Sequence, residues 1–203
     1  MTAIVATGLS KMWSAEAGLR PVTFTVEPAE LVVVRGRSGS GKSTLLALLA
    51  GLCVPDAGSI LVDGVVPSLD MPWTKVAFVP QALALAVELS VRENVTDAAP
   101  FETDTDLREM MERLDLHEFA DRCIDEISMG QQQRAAVARA CSALPRVLLV
   151  DEPTSFQDGH HAAAVIGELA RLAAAGTAVL VATHDEAVVR AADRTLELAD
   201  DVL

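Results

Sequence analysis

The chain has 203 residues, of which 51% are hydrophobic and 22% are charged, and its formal net charge is −13. This length predicts one domain with a well-buried core, and the composition excludes a disordered or fibrous chain. The surplus of carboxylates argues against a dedicated nucleic-acid binder, because binding to a phosphate backbone needs a surplus of cations.

The first third of the chain predicts β-strands. Val22, Phe24 and Val26 alternate with polar residues, which is the period of a half-buried strand. Residues 31–34 form a continuous apolar run that is typical of a strand buried on both faces of a parallel sheet. A segment that is apolar nearly all round then predicts a buried helix, with Leu45, Leu46, Leu48, Leu49, Leu52 and Cys53.

The middle of the chain changes from strand patterns to helix patterns. Two further strands are predicted at 59–62 and 75–79. The following segment instead has few β-branched runs, and it predicts helices at 88–95, 104–116 and 128–144. We interpret about 60 residues, from 82 to 144, as a helical insertion.

Strand patterns return in the last third. The apolar runs 147–150 and 177–182 predict two buried strands, with an amphipathic helix at 159–175 between them. A last strand is predicted at 195–198. Alternation of helices with buried strands of the parallel type predicts an α/β fold.

Cysteine usage and the first residues indicate the compartment. Cys53, Cys123 and Cys141 are far apart, which is typical of reduced thiols in a cytosolic protein. The chain starts without the basic and apolar regions of a signal peptide, and no apolar run approaches the ~18 residues that span a bilayer. We therefore expect any membrane role to depend on a partner.

The strongest motif lies between the apolar run 31–34 and the apolar helix that follows it. It fits the pattern GxxxxGK[ST], and its residues are Gly36, Arg37, Ser38, Gly39, Ser40, Gly41, Lys42, Ser43 and Thr44. Glycines let the backbone curl so that several N–H groups face one anion, and the helix that follows adds the positive end of its dipole. Lys42 supplies a charge for the β- and γ-phosphates, and the Ser43 hydroxyl is placed to bind Mg²⁺. The motif predicts an ATP site held by local geometry in an otherwise acidic protein.

Two carboxylates, Asp151 and Glu152, follow the apolar run 147–150. Ligands of open α/β folds bind at the carboxyl ends of the strands, so we expect both side chains near the phosphate loop. Asp151 would hold Mg²⁺ directly or through water, and Glu152 would polarise the attacking water as a general base. Without the phosphate loop upstream, the pair would also fit a helix cap and a solvated acid.

Further segments stand in the order of the motifs of a known family. Gln81 follows Phe-Val-Pro, residues 127–134 read Ile-Ser-Met-Gly-Gln-Gln-Gln-Arg, and Pro-Thr-Ser follows Glu152. Ser155-Phe-Gln-Asp and His184 come after them, and Trp13 stands near the start of the chain. In these motifs the chain resembles, nearly end to end, a nucleotide-binding domain of the ATP-binding cassette (ABC) family. In the order given, these segments match its Q-loop, LSGGQ signature, Walker B motif, D-loop, H-switch and adenine-stacking aromatic.

The resemblance implies an α/β P-loop NTPase of the ABC ATPase type. Such a fold has an antiparallel β-subdomain and a helical subdomain, here at about 82–144, inserted in a RecA-like core. The whole chain, 1–203, would be one such domain. It would be the ATPase subunit of an ABC transporter, with ATP and Mg²⁺ as ligands.

The resemblance also implies roles for individual residues. Trp13 would stack on adenine, Gln81 would reach Mg²⁺ or the attacking water, and His184 would donate a hydrogen bond to the γ-phosphate. Ser128, Gly130 and Gln131 would serve the nucleotide of the other subunit in a head-to-tail dimer.

The expected partners follow from the same resemblance. They are a second copy of the chain, or a second nucleotide-binding subunit, and a membrane permease that contacts the helical insertion and the groove near Gln81. This places the protein in the cytoplasm, at the inner face of the cell membrane, with no nucleic-acid partner. The length, residues 131–134 and the region of Gln81 look most similar to the branch that serves lipoprotein-releasing and macrolide-exporting machines.

The sequence departs from the family pattern at two places. Met129 replaces the first glycine of the signature pair, and Phe156-Gln157 replaces the common Ala-Leu of the D-loop. Met129 motivates an alternative function, a soluble nucleotide-gated module with a regulatory or scaffold role and weak turnover. A soluble ABC ATPase of DNA repair or translation, and a P-loop kinase or GTPase, are weaker alternatives. The chain lacks the basic patches and coiled coils of the first and a base-reading motif of the second.

Overall fold

The computed structural model describes residues 1–14, 17–98 and 104–198. The strands are β1 (Ile4–Met12), β2 (Gly18–Val26), β3 (Leu31–Arg35), β4 (Ala57–Val62), β5 (Val76–Val79), β6 (Val147–Asp151), β7 (Ala178–Ala182) and β8 (Arg194–Glu197). The helices are α1 (Lys42–Leu49), α2 (Val91–Asp97), α3 (Asp104–Arg113), α4 (Met129–Ser142), α5 (Gly159–Ala174) and α6 (Glu186–Ala191). Two short 3-10 turns, His117–Phe119 and Ile124–Glu126, lie between α3 and α4.

The strands form two sheets, which confirms the predicted α/β class. Five of them form a parallel sheet in the order β5-β6-β7-β3-β8. The other three form an antiparallel sheet in the order β2-β1-β4, which is the second sheet that the family resemblance implies.

The parallel sheet brings three of the predicted motifs to one edge. β3 ends at Arg35, directly before the glycine-rich loop, and β6 ends at Asp151. Val34 pairs with Ala182 of β7, and Ala182 pairs in turn with Asp151. The phosphate loop, the two carboxylates and His184 therefore start from neighbouring positions at the carboxyl edge of the sheet.

The central strands are buried on both faces, as their continuous apolar runs predict. In β3, Leu31 and Val33 belong to one hydrophobic core, and Val32 and Val34 belong to another. The first core is completed by α2, α3, α4 and α5, and the second by α1 and the antiparallel sheet. Because successive side chains point to opposite faces, a strand covered on both sides must be apolar throughout.

The chain between β5 and β6 carries α2, α3, α4 and both 3-10 turns. α2 begins at a capping box, in which Ser90 Oγ accepts from the Glu93 N–H and the Glu93 carboxylate accepts from the Ser90 N–H. In the described ranges, no helix is both long enough and apolar enough to cross a lipid bilayer.

Several element boundaries differ from the predictions. α1 ends at Leu49, so Leu52 lies outside the helix and is exposed. The reason is Gly51, whose backbone is left-handed (φ 72°) and so close to Ser68 that a Cβ would lie 2.5 Å from the Ser68 nitrogen. In addition, α3 ends at Arg113, and the short helix α6 follows β7 where no helix was predicted.

The cysteines are free thiols, as expected from their spacing. Cys141 is buried, whereas Cys53 and Cys123 are half-buried. Burial raises the pKa of the Cys141 thiol far above its ordinary value, so this residue acts as a small packing group.

An ion-pair cluster around one buried carboxylate joins the helical segment to α5. Glu168 of α5 is buried, and its carboxylate accepts hydrogen bonds from Arg113 of α3 at 2.9 Å and from Arg171 at 2.6 Å. Burial alone would raise the pKa of Glu168, but the hydrogen bonds from Arg171 and Arg113 outweigh it and lower the pKa below its ordinary value.

We expect Glu168→Gln to lower the free energy of unfolding at pH 7 by about 2 kcal/mol, because a charge-assisted contact is lost. Since the folded-state pKa is depressed, this stability is present above the unfolded pKa of about 4.3 and disappears as the pH falls through the folded-state value. Urea unfolding at pH 7 and at lower pH measures the difference, which should shrink in acid. Glu112→Gln, which breaks the exposed pair with Arg108, is the matched control and should have little effect.

Candidate functional site

A cleft of about 410 Å³ opens at the carboxyl edge of the parallel sheet. It brings together residues of the first strand pair, the phosphate loop and the ends of three parallel strands. The predicted site residues that line it are Trp13, Ser38, Gly39, Gly41, Lys42, Ser43, Thr44, Gln81, Asp151, Glu152 and His184.

The phosphate loop packs closely against β2 at Gly41. Gly41 caps α1 with a left-handed backbone (φ 96°), and a Cβ there would lie 2.6 Å from the carbonyl oxygen of Gly18. A larger residue would therefore push the loop away from β2. Because Gly41 has no side chain to cap the helix, the first N–H groups of α1 are free to face an anion in the cleft.

Lys42 is buried at the floor of the cleft, and its ammonium group is held by three acceptors. Its Nζ donates to the carbonyl oxygens of Gly36 at 2.7 Å and Arg37 at 3.2 Å. It also lies 3.0 Å from His184 Nε2. A protonated lysine can only donate, so His184 accepts through Nε2 in this arrangement. The ammonium group is therefore pre-positioned beside the loop that would hold phosphate.

The Glu152 carboxylate is oriented by the residue before His184. Thr183 is buried, and its hydroxyl donates to Glu152 Oε2 at 2.9 Å while accepting from the Asp185 N–H. Glu152 has a left-handed backbone (φ 50°), a strained conformation for a residue with a Cβ that is common at functional sites. Its Oε1 lies 3.9 Å from His184 Nε2. Glu152 is thus a rigidly placed base candidate.

The residues present fit a magnesium-bound triphosphate. Ser40 Oγ is buried and has no hydrogen-bond partner within the described part of the chain, which leaves an unsatisfied group in the phosphate loop. Ser43, Gln81 and Asp151 line the cleft together and offer only oxygen ligands, which Mg²⁺ prefers over nitrogen or sulfur.

Trp13 is half-exposed at the rim of the cleft, and its ring is fixed from two sides. Its Nε1 donates to Thr44 Oγ1 at 3.1 Å, and Lys11 Nζ lies 5.2 Å from the ring centroid. Asp56 holds this arrangement, because it accepts from Lys11 Nζ at 2.7 Å and from the Met12 N–H at 2.8 Å. The hydrogen bond from Lys11, followed by that from Met12, lowers the pKa of Asp56.

The signature residues lie at the start of α4, and the cleft lining does not include them. Ser128 caps the helix, accepting from the Gln131 N–H at 3.3 Å, and the Gln131 side-chain oxygen accepts from the Ser128 N–H at 2.8 Å. Met129 is half-exposed, so its side chain points outward from the helix start.

Sequence reasoning missed Thr183 and Asp56 as supporting residues. A hydroxyl directly after the buried strand 178–182 and next to His184 was an available signal for Thr183. Nothing in the sequence connects Asp56 with Trp13, because the contact depends on how β1 and β4 pair in the antiparallel sheet.

Comparison with known proteins gives concordant matches. A family model described as "ABC transporter" matches residues 19–155. The dimeric post-hydrolysis structure of the ATP-binding cassette MJ0796 with ADP and Pi is 29% identical, with 96% of this chain and 94% of that chain covered and a TM-score of 0.82. A second dimeric MJ0796 structure, a bacterial ABC transporter cassette, is 28% identical, with the same coverage and a TM-score of 0.83. An ATP binding subunit of an ABC transporter is 25% identical, with 97% and 86% covered and a TM-score of 0.83.

Proposed function

The chain belongs to the ABC transporter family, and from this premise we propose that it powers transport through a separate membrane permease. It is an ATP-hydrolysing cassette that binds ATP and Mg²⁺. The observation that carries the proposal is the cleft in which Lys42, Asp151, Glu152 and His184 meet.

Each residue of the cleft has a proposed role. The glycine-rich loop and Lys42 bind the phosphates, and Trp13 stacks on the adenine base. Ser43, Gln81 and Asp151 would hold Mg²⁺, which would neutralise charge on the phosphate oxygens.

Hydrolysis follows from the remaining two residues. Glu152, oriented by the Thr183 hydroxyl, accepts the proton of the attacking water. When Lys42 turns to the phosphates, His184 Nε2 loses this donor, and the imidazole tautomer with its proton on Nε2 would donate a hydrogen bond to the γ-phosphate.

We further propose that two copies form the complete site. Ser128, Gly130 and Gln131 stand at a helix N-terminus, where N–H groups and the helix dipole favour an anion, yet they do not line the cleft of their own chain. A second copy in a head-to-tail arrangement would supply these residues to the first nucleotide. The MJ0796 structures, which are dimeric, support the formation of a dimer by a related cassette.

An apolar groove beside Gln81 supports the permease proposal. It has a volume of about 340 Å³, and Pro80 and Ala84 of the segment around Gln81 border it. The other apolar lining residues are Ala50, Leu52, Leu69, Met71, Trp73, Val76 and Phe78. Exposed apolar surface of this kind is typical of an interaction site. A helix of a membrane partner docked here would lie next to Gln81, and the protein would then work at the inner face of the cell membrane. We also propose that residues 82–144 form a helical subdomain that takes part in this contact. The whole chain, 1–203, would then be one cassette.

The groove leads to a direct test of the permease proposal. We expect Leu69→Glu to abolish the stimulation of ATP hydrolysis that a permease gives when it is reconstituted with this chain in vesicles, the permease being sought as a polytopic membrane protein in an adjacent reading frame. Val54→Glu is the matched control, because Val54 is equally exposed (74% against 72%) but lies outside the groove lining.

Full stimulation of the Leu69 variant would contradict docking in this groove. If the unmodified chain hydrolyses ATP alone and no membrane protein changes its rate, the soluble regulatory module that the exposed Met129 suggests becomes the better function.

A further inference from the structure

The loop that follows Glu152 packs directly against the first turn of α4. Gly130 lies at the contact, and a Cβ on it would be 2.8 Å from the carbonyl oxygen of Phe156. Such a distance leaves no room for a side chain. The packing of the loop therefore requires glycine at position 130, whether or not a ligand approaches there.

Gln157 connects the same two segments through both ends of its side-chain amide. Its Nε2 donates to the carbonyl oxygen of Gly130 at 2.8 Å, and its Oε1 accepts from Arg134 Nη1 at 2.9 Å. Exchanging the amide oxygen and nitrogen would set donor against donor and acceptor against acceptor, so this orientation is the one that the contacts allow.

Arg134 extends the contact to the end of α3. It is 3% exposed, and its Nε donates to the carbonyl oxygen of Leu114 at 2.7 Å, while Nη2 donates to that of Asp115 at 3.3 Å. Burying a guanidinium group is costly unless its N–H groups are hydrogen-bonded. Arg134 is thus fixed by the backbone on one side, and it offers Nη1 to Gln157 on the other.

The loop needs such an anchor, because its backbone is strained at two positions. Glu152 and Phe156 both have left-handed backbones, with φ values of 50° and 64°. Conformations of this kind persist only where surrounding contacts hold them. Phe156 itself is exposed, so its side chain contributes little to holding the loop.

We propose that Gln157 is a positioning residue that fixes the loop after Glu152 to the start of α4. Through Gln157, the base Glu152 and the signature residues Ser128 and Gly130 keep a constant relative position when two copies close on ATP. The inference rests on the proposed role of Ser128 and Gly130 in the site of the partner copy. It concerns one of the two residues at which this chain departs from the usual D-loop pattern.

The test compares the steady-state kinetics of Gln157→Met with those of the unmodified chain. Methionine keeps the length of the side chain but removes both hydrogen bonds. We expect kcat for ATP hydrolysis to fall roughly tenfold, with KM for ATP unchanged. A factor of about ten corresponds to the net free energy of about one hydrogen bond. Gln132→Met is the matched control, because the Gln132 side chain also donates from α4 to two carbonyl oxygens, but these belong to Ile124 and Ile127 and not to the loop.

A second variant gives a signature that loss of stability alone cannot produce. In Gln157→Glu the carboxylate still accepts from Arg134 but sets an oxygen against the Gly130 carbonyl. The ion pair with Arg134 should keep the variant folded, whereas the lost bond to Gly130 should lower kcat with KM for ATP unchanged, so thermal stability and kcat should respond differently. This variant also keeps the test decisive if Gln157→Met does not fold.

The outcomes separate this inference from the proposed dimeric site when Ser128→Ala is measured in parallel. If Ser128→Ala lowers kcat but the Gln157 variants behave like the unmodified chain, the positioning role is overturned and the shared site stands. If KM rises while kcat is kept, or if Gln157→Glu keeps both its thermal stability and its kcat, the positioning role is also overturned. If the Gln157 variants lower kcat as expected and Ser128→Ala does not, the shared site is in error and Gln157 positions only the loop after Glu152.

Discussion

Replacing Glu152 with Gln should lower kcat for ATP hydrolysis by about 10²–10⁴-fold, the usual contribution of a general base. Glutamine has the size of glutamate, and its amide oxygen can still accept the hydrogen bond from the Thr183 hydroxyl. It cannot take a proton from water, so the change removes the chemistry and leaves the geometry in place.

The same variant should accumulate as an ATP-bound dimer. If two copies close on two molecules of ATP·Mg²⁺ and hydrolysis reopens them, a chain that cannot hydrolyse remains closed. Light scattering at saturating ATP·Mg²⁺ should then give twice the mass of the monomer, whereas the unmodified chain returns to monomer as ATP is consumed.

A matched control for this experiment is Glu186→Gln. Glu186 is an exposed acid at the start of α6 that pairs with Arg35 near the same edge of the sheet. The Glu186→Gln variant should hydrolyse ATP normally and should not accumulate as a dimer. A Glu152 variant with normal turnover would exclude Glu152 as the base, and one that stays monomeric would argue against the shared site.

Replacing Lys42 with Ala should weaken ATP binding roughly 10²-fold, because charge-assisted hydrogen bonds to phosphate are lost. The effect should be large here because the chain carries a net charge of −13, so the affinity for an anion depends on local cations and N–H groups. The buried ammonium group is already held at the floor of the cleft by Gly36 and Arg37.

Competition between ATP and a fluorescent ATP analogue measures this change in affinity. Lys75→Ala is the control, since Lys75 is a partly exposed lysine that pairs with Asp63 at 3.8 Å and lies outside the cleft lining. Thermal unfolding without nucleotide separates a binding defect from a folding defect. Unchanged affinity of a folded Lys42 variant would remove the phosphate loop from the proposed site.

The periodicity of apolar residues predicts much of the fold, but it does not locate the ends of the helices and strands. The apolar runs 31–34 and 147–150 predicted buried parallel strands, because only a strand covered on both faces is apolar throughout. The end of α1 was placed too late, since Leu52 continues the apolar pattern. Gly51 ends the helix by packing against Ser68, a residue that the helix pattern does not contain.

The sequence by itself determined the phosphate loop and the pair Asp151 and Glu152, because each is a short motif whose geometry depends on neighbours in the chain. Only the tertiary structure decided the contacts that support them, such as Asp56 with Lys11, Thr183 with Glu152, and Arg134 with Gln157. Those partners are brought together by strand order and helix packing. Their chemistry is visible in the sequence, but the distances between them exist only after the chain has folded.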